Sequence, residues 1–344
     1  MYRFFLTVLL STSTLASAQM IDLGLDFQTN AIVQVERGFD GSIWGISGSS
    51  MDRLPTLAGV YTIRSTDGGT SWDTSSITQD WWRWGVELIP ISKDICWAFT
   101  LRDDVNDTLE CFRTADGGAS WTRIEPMDVG LARLVDVEFF TPQIGVAIGS
   151  TGRSVTSKWV VSRTTDGGKT WELSRDMQAH YNEKIAQRND RATHRVGNTY
   201  IVGMTSGRLL ITRDAGATWA FLTPPIGGAV SAVVDVKGMG VIAVRTTDDG
   251  GFTSAVSADD ATWTGARMPA GVRDIRGFRL LRDGSIATIP NDVQHAPLMI
   301  LKSDLSSATT LKQHSCFGVL ELDDATLLTG TELVPGQGLL RVQR

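Results

Sequence analysis

The 344-residue chain has few of the residues that build several common functional centres. It contains 3 cysteines, 4 histidines, 4 tyrosines and 10 prolines. So few cysteines exclude a small scaffold stapled by disulfides, and four scattered histidines do not suggest a metal centre. The motifs of nucleophile elbows, zinc sites and phosphate-binding loops are also missing from the sequence. We therefore expect neither a metal nor a cofactor.

Basic clusters and long apolar runs are missing as well. Lysine and arginine total 32 against 38 acidic residues, which gives a net charge of −6. An acidic chain without a basic run argues against nucleic acid as the partner, and without a long apolar stretch we expect no membrane span. The basic residues are mostly arginine, which suits carboxylates, phosphates and interfaces. Genomic composition with structural ion pairing is the alternative explanation.

The N-terminus has the pattern of a secretory signal. Arg3 precedes the short apolar run Phe4–Leu10, and Ala16-Ser17-Ala18 is an A-x-A cleavage site. We expect cleavage after Ala18 and a secreted or periplasmic location. Residues 1–18 are then the signal peptide and residues 19–344 a single domain. The alternative is that the apolar run is a buried first strand.

One phrase recurs along the chain at intervals of 45 to 50 residues. It is clearest as Ser65-Thr66-Asp67-Gly68-Gly69-Thr70-Ser71-Trp72, and good copies end at Trp121, Trp171 and Trp219. A weaker copy ends at Trp263, and a further one lies near Asp304. A four-stranded propeller blade with its turns needs about this much chain. The repeat therefore predicts a β-propeller.

The aspartate in each phrase is predicted to hold a turn together. Apolar residues precede each copy, and Asp-Gly-Gly suits a hairpin in which the carboxylate accepts N–H groups of its own turn. The tryptophan would begin the outer strand and pack between blades. A calcium loop is the alternative, but it needs several oxygen ligands within about a dozen residues. The residues given this structural role are Asp67, Asp116, Asp166, Asp214, Asp259, Trp72, Trp121, Trp171, Trp219 and Trp263.

A second pattern counts the blades. A short apolar strand follows a polar turn six times, beginning at Gly41, Lys93, Gln143, Asn198, Gly240 and Gly284, and a seventh time at Asp324. After the seventh copy the sequence is one strand short, and the alternating segment 21–27 can supply that strand by pairing with residues 338–343. The fold class is therefore all-β: a seven-bladed propeller of four-stranded antiparallel blades, closed by an N-terminal strand. Six or eight blades are the alternatives.

The recurring phrase resembles the Asp-box, or BNR, repeat of sialidases, sortilin-type receptors, xyloglucanases and photosystem II assembly propellers. Arg64, Arg113 and Arg163 before the boxes make it most similar to the photosystem II assembly-factor class. That resemblance implies a noncatalytic scaffold that binds a protein or peptide, and transfers fold more strongly than function. The alternative is a carbohydrate-active enzyme, sialidase-like or xyloglucanase-like, or a glycan-binding propeller. The Arg-Ile-Pro motif of sialidases is missing here.

Candidate binding residues are expected on the loop face opposite the boxes, where propeller function commonly concentrates. Trp81, Trp82, Arg83 and Trp84 form a stacking platform or, if buried, inter-blade packing. The connection from Glu172 to Arg195 is the longest and is expected to carry a helical turn. Its His180, Tyr181 and Glu183 are candidate acid, base or lid residues.

Arginines near the starts of the predicted innermost strands form a third candidate site. These are Arg83, Arg133, Arg195 and Arg273, with Arg276 close by. If they converge on the central channel they bind an anion; the alternative is structural pairing with nearby aspartates. No residue is assigned catalysis.

Cys96 and Cys111 are expected on neighbouring strands of one blade. A disulfide and two buried free thiols are the alternatives.

Overall fold

The computed structural model describes residues 18–21, 30–49, 59–79, 83–102, 108–152, 158–180, 192–247, 251–272, 275–290, 298–312, 317–324, 326–330 and 339–344. In these ranges the chain forms strands and one short 3-10 helix, Pro126–Val129. No helix among them is long and apolar enough to cross a membrane. The strands are β1 (Ala18–Ile21), β2 (Asn30–Arg37), β3 (Ile43–Ser49), β4 (Val60–Ser65), β5 (Asp73–Thr78), β6 (Arg83–Pro90), β7 (Cys96–Arg102), β8 (Thr108–Thr114), β9 (Thr122–Ile124), β10 (Arg133–Phe139), β11 (Gly145–Ser150), β12 (Lys158–Thr164), β13 (Glu172–His180), β14 (Thr193–Val196), β15 (Thr199–Gly203), β16 (Leu209–Thr212), β17 (Ala220–Leu222), β18 (Ala232–Val236), β19 (Gly240–Thr246), β20 (Phe252–Ser257), β21 (Thr264–Ala266), β22 (Ile275–Leu280), β23 (Ile286–Pro290), β24 (Leu298–Leu301), β25 (Ala308–Lys312), β26 (Phe317–Asp323), β27 (Thr326–Gly330) and β28 (Leu339–Gln343).

These strands form seven four-stranded antiparallel sheets, which are the blades of a propeller. Blades 1 to 6 use consecutive strands: β2–β5, β6–β9, β10–β13, β14–β17, β18–β21 and β22–β25. Blade 7 has the order β26-β27-β28-β1, so its outermost strand comes from the N-terminal end. The predicted fold class is confirmed. All seven second strands expected from the sequence are present, as β3, β7, β11, β15, β19, β23 and β27.

The described part of the closing strand lies earlier in the sequence than expected. Segment 18–21 pairs with β28, with Ala18 opposite Val342 and Ile21 opposite Leu339. The expected pairing of residues 21–27 with residues 338–343 was therefore wrong in its register, and residues 22–27 lie outside the described residues; the closure itself is present. The closing strand is the outermost strand of blade 7, whereas β2 is an innermost strand, so the chain between them must cover at least three strand spacings, roughly 14 Å. If the closing strand ended at residue 27, the three residue steps to Asn30 could span only roughly 10 Å.

The recurring phrase forms a tight turn between the third and fourth strands of a blade. We call these five turns, at Asp67, Asp116, Asp166, Asp214 and Asp259, the box turns. In the second, Asp116 Oδ1 accepts the Ser120 N–H at 2.9 Å and the Thr114 hydroxyl at 2.8 Å, and Oδ2 accepts the Ser120 hydroxyl at 2.6 Å. These hydrogen bonds, the one from the Ser120 hydroxyl first, lower the pKa of Asp116 to about 2.

The tryptophans of the box turns lie between blades, one residue before the outer strand. Trp121 packs edge-on against the buried Trp44 of blade 1, with 6.3 Å between ring centroids. Trp171 makes the same contact with Trp97 of blade 2, at 6.0 Å. Apolar clusters fill each interface between neighbouring blades in this way, so the core is a ring of separate apolar layers.

Cys96 and Cys111 are buried free thiols. Cys96 lies opposite Thr114 and Cys111 lies opposite Phe99. An offset of three residues puts the two side chains on opposite faces of the sheet, so they belong to different inter-blade clusters. The free-thiol alternative is the one that the structure supports, and burial raises the pKa of the Cys96 thiol.

The box turns share one face of the ring with the hairpins that join the first and second strands of each blade. We call this the box face. The Gly117 N–H donates to the Asp94 carbonyl at 2.9 Å, and the Gly167 N–H donates to the Gln143 carbonyl at 2.9 Å. Each of these bonds joins a box turn to the first hairpin of its blade.

Candidate binding cavity in the central channel

A cavity of about 770 Å³ lies where the innermost strands of the blades converge. Every blade contributes to its wall, so the site exists only in the closed ring. Its lining includes one residue from each innermost strand: Glu36, Glu87, Glu138, His194, Val236, Arg279 and Glu321. Cavities of this volume are in the range that holds small molecules or protein side chains.

The described entrance to this cavity is on the box face. Phe39 lies in the hairpin between β2 and β3, and Val196 ends β14 beside the next hairpin. Both line the cavity and are each 41% exposed. The Arg195 guanidinium of blade 4 lies 5.5 Å from the centre of the Phe39 ring of blade 1, so side chains from distant blades meet here.

Two ion pairs join inner strands within the cavity. Arg195 Nε lies 2.9 Å from Glu138 Oε1, which links blades 4 and 3. Arg279 of blade 6 pairs with Glu36 of blade 1, although blade 7 lies between these two blades in the ring. The arginines thus neutralise carboxylates that the ring encloses.

The Glu138 carboxyl has a pKa close to neutral pH. Burial is the largest effect and raises the pKa of Glu138 to about 7. The Arg195 guanidinium lowers this pKa, and the carboxylates of Asp136 and Glu36 raise it. A group with this pKa exchanges a proton at neutral pH and responds to any charge brought beside it.

His194 is buried beside this pair. Burial, helped by the charges of Arg279 and Arg195, lowers its pKa to about 3, and a hydrogen bond with the Asp235 backbone opposes that effect. The imidazole is therefore neutral at pH 7. Its Nε2 atom has no hydrogen-bond partner among the residues that the structure describes.

The structure brings only one of the sequence-predicted arginines into the cavity. Arg195 lines it, whereas Arg133 is exposed at the first position of β10, and the far end of that strand, at Glu138, reaches the cavity. The two do not converge, because Arg195 is third in a four-residue strand and Arg133 is first in a seven-residue one. Arg273 lies outside the described residues.

The remaining candidates lie mostly where the structure gives no description. Trp81, Trp82, Tyr181 and Glu183 are outside the described residues. Arg83 and Trp84 begin β6, opposite Arg102 and Leu101, and His180 ends β13; their side chains are not described. The long connection from Glu172 was overestimated, since Glu172–His180 is strand β13.

Sequence reasoning missed the acidic residues of the cavity. Their signal is a Val-Glu pair in the first strand of the first three blades: Val35-Glu36, Val86-Glu87 and Val137-Glu138. A charge within an apolar inner strand is unfavourable unless it is paired. Its recurrence therefore could have indicated a charged channel wall.

No protein-family model matches the chain, and no curated protein matches it. Among solved structures, YCF48 bound to D1 peptide matches with a TM-score of 0.60 and 13% identity, over 96% of both chains. YCF48 from Cyanidioschyzon merolae matches with a TM-score of 0.60 and 12% identity, over 96% of this chain and 99% of that one. The Pan2 WD40 domain of Neurospora crassa matches with a TM-score of 0.57 and 10% identity, over 96% of both chains. At these identities the likeness shows a shared propeller fold.

Proposed function

We propose that the protein is an exported, noncatalytic Asp-box propeller that binds a protein or peptide partner. The observation that carries this proposal is the central cavity, which offers charged groups from several blades beside exposed apolar side chains at its entrance. The structural neighbour YCF48 was solved with a bound D1 peptide, which supports peptide binding for the same architecture. A glycan remains the alternative ligand.

The first proposed contact surface is the loop face opposite the box turns. The proposal there rests on the sequence, which places Trp81, Trp82, Arg83 and Trp84 at the entry to β6. Aromatic and arginine side chains are the residues that most often dominate the energy of protein interfaces. The combination of three tryptophans with one arginine favours a peptide with both apolar and acidic groups.

Export is proposed from the N-terminal signal. Cleavage after Ala18 would remove only the first residue of β1 and keep the pairing of Gln19 to Ile21 with β28. The closed ring is therefore compatible with the cleaved chain. Mass spectrometry of the exported protein tests this, and the expected N-terminal residue is Gln19; an uncleaved chain retained in the cytoplasm would reject export.

The binding proposal is tested by selection. The chain from Gln19 is immobilised and used to select from a random dodecapeptide display library, and synthetic copies of enriched peptides are titrated by calorimetry. We expect a shared motif with a Kd on the order of micromolar, and at least about tenfold weaker binding by a Trp81→Ala/Trp84→Ala variant. Leu173→Ala, exposed on the outer strand β13, is the matched control.

Two outcomes contradict the proposal. If no motif is enriched, the protein is not a general peptide binder. If the purified protein hydrolyses glycosides in a panel of aryl glycosides, the noncatalytic reading is wrong. Equal binding by the tryptophan variant and the control would reject the proposed loop face alone.

A further inference from the structure

The entrance to the central cavity carries exposed apolar side chains beside exposed charged ones such as Lys237 and Arg282. Among the described residues four large apolar side chains are exposed: Phe39, Met127, Leu173 and Val196. Two of these four, Phe39 and Val196, line the cavity. An aliphatic chain lying between them would remove apolar surface of both partners from water.

Behind this entrance the cavity presents hydrogen-bond acceptors. Glu138 Oε1 lies 2.9 Å from Arg195 Nε and accepts the Phe139 N–H at 3.0 Å. The buried His194 imidazole is neutral, and its Nε2 has no partner among the same residues. The hydrogen bond of His194 to the Asp235 backbone raises its pKa, as expected when a ring N–H donates to a carbonyl, so Nε2 is an acceptor.

The acidic neighbours of Glu138 favour a cation beside it, although Arg37, Lys237 and Arg282 also line the cavity. The charged groups that act on it are Arg195 from β14, Arg279 from β22, Glu36 from β2 and Asp136 from its own strand. Arg279 is already paired with Glu36, and Arg195 is paired with Glu138. The repulsion from Glu36 and Asp136 contributes to the raised pKa of Glu138. A cation placed beside Glu138 would relieve that repulsion, and an anion would increase it.

We propose that the central cavity binds a lysine or arginine side chain of a peptide partner. The aliphatic stem lies between Phe39 and Val196, and the ammonium or guanidinium head donates to Glu138 and His194. This inference rests on the proposed peptide-binding function and assigns it a second surface, the box face. The volume of about 770 Å³ exceeds that of one side chain, so neighbouring residues of the peptide can enter the mouth of the channel.

The test uses nine-residue peptides of glycine and serine with one central lysine, arginine or Nε-acetyl-lysine, blocked at both ends. Each is titrated calorimetrically into the chain from Gln19 at pH 7, in two buffers with different ionisation enthalpies. We expect the lysine and arginine peptides to bind, and the acetylated peptide to bind at least about tenfold more weakly. Binding of a cation should also release a fraction of a proton, because it favours the ionised form of Glu138.

Two variants locate the contact. Glu138→Gln should weaken the lysine peptide about tenfold or more and abolish the proton release. Phe39→Ala, a surface change that leaves the core intact, should weaken it about threefold to tenfold without changing the proton release. Glu172→Gln, exposed on the outer strand β13, is the control and should change neither quantity.

Equal binding of the acetylated peptide would overturn the inference, as would unchanged binding by both Glu138→Gln and Phe39→Ala. If library-selected peptides bind without a basic residue and are indifferent to Glu138→Gln, this inference fails and the proposed function stands. If no peptide binds but n-pentylammonium binds in a Glu138-dependent way, the proposed function and the peptide occupant both fail.

Discussion

Single aspartates hold the box turns together although they lie on the surface. In the third box turn, Asp166 Oδ1 accepts N–H groups of Lys169 at 3.0 Å and Thr170 at 2.9 Å, and Oδ2 accepts the Thr170 hydroxyl at 2.6 Å. The Thr164 hydroxyl completes the set at 2.8 Å. Four donors thus engage this one carboxylate, which fixes the conformation of the turn.

This bonding predicts a pH-dependent contribution from Asp116. Its folded pKa of about 2 lies below the unfolded value of about 3.9. The stability that it contributes is therefore present above about pH 4 and is lost as the pH falls through 2. Asp116→Asn should lower the Tm at pH 7, and the deficit should shrink toward pH 2. Circular dichroism melting from pH 2 to 7 measures it, with the exposed Asp324→Asn as control; a deficit independent of pH would contradict the expected mechanism.

The second and third residues of the first and fourth box turns, Gly68-Gly69 and Ala215-Gly216, all adopt a positive φ, but their surroundings differ. Gly68 has φ 73° and no atom within 4 Å of an added Cβ, whereas a Cβ on Gly216, with φ 80°, would meet Val146 Cγ1 at 2.3 Å. Gly68→Ala should thus cost about 1 kcal/mol from backbone strain. Gly216→Ala should cost a further 1–3 kcal/mol, roughly, from overpacking. Urea denaturation measures the free energy of unfolding of both variants. Equal losses would show that the contact between Gly216 and Val146 of the neighbouring blade is not tight.

Residues whose role is local could be predicted from the sequence. The aspartates, glycines and tryptophans of the box turns interact with neighbours within five residues or within the adjoining blade, so a short pattern contains their chemistry. Where the pattern degenerates, the positive φ persists at Ala215 (φ 55°) and Asp260 (φ 62°). Asp260 offsets that strain with two bonds of 2.7 Å to Arg213, a long-range contact that the pattern does not predict.

At the scale of strands, the closing strand decides whether the ring has an edge. β1 covers β28, which would otherwise present unpaired N–H and C=O groups to solvent. The need for a closing strand was predictable from counting strands. Its position was not, because it depends on the distance that the chain must cover between the outer strand of blade 7 and β2.

Truncation tests this closure. A chain that begins at Gln19 keeps three of the four paired residues of β1, and a chain that begins at Asp22 keeps none. We expect the first to melt like a chain from Ala18, and the second to have a lower Tm and to self-associate through the exposed edge of β28. Thermal melts and size-exclusion chromatography with light scattering distinguish them. Identical behaviour of the two chains would show that β1 adds nothing to the ring.

The channel is a property of the whole molecule, and its chemistry was not predictable from local pattern. Arg279 and Glu36 meet although 243 positions separate them, because ring closure brings blades 1 and 6 to one axis. The sequence places arginines near strand starts, but strand lengths of four to eight residues decide which end each side chain reaches. Propeller geometry therefore had to be known before the cavity could be found.

Two buried groups of the channel titrate in opposite senses. Glu138 has a folded pKa of about 7 against about 4.3 unfolded, so its contribution to stability is complete below about pH 4 and is lost as the pH rises through 7. His194 has a folded pKa of about 3 against about 6.5 unfolded, so its contribution is present above about pH 6.5 and is lost as the pH falls toward 3. Between about pH 4.5 and 6.5 the two slopes, each up to about 1.4 kcal/mol per pH unit, should cancel.

Single substitutions should reveal the pH dependence of stability that each group contributes. In Glu138→Gln only His194 of the two still titrates, so the stability of the protein should rise with pH between 4.5 and 6.5. In His194→Gln the stability should fall over the same pH range. The stability of the double variant should again be independent of pH in this range, as in the wild type, because neither group remains. Urea midpoints followed by tryptophan fluorescence at half-unit pH steps measure all four proteins. If both single variants are as flat as the wild type, the two groups do not exchange protons on unfolding, and the channel is more hydrated than its geometry indicates.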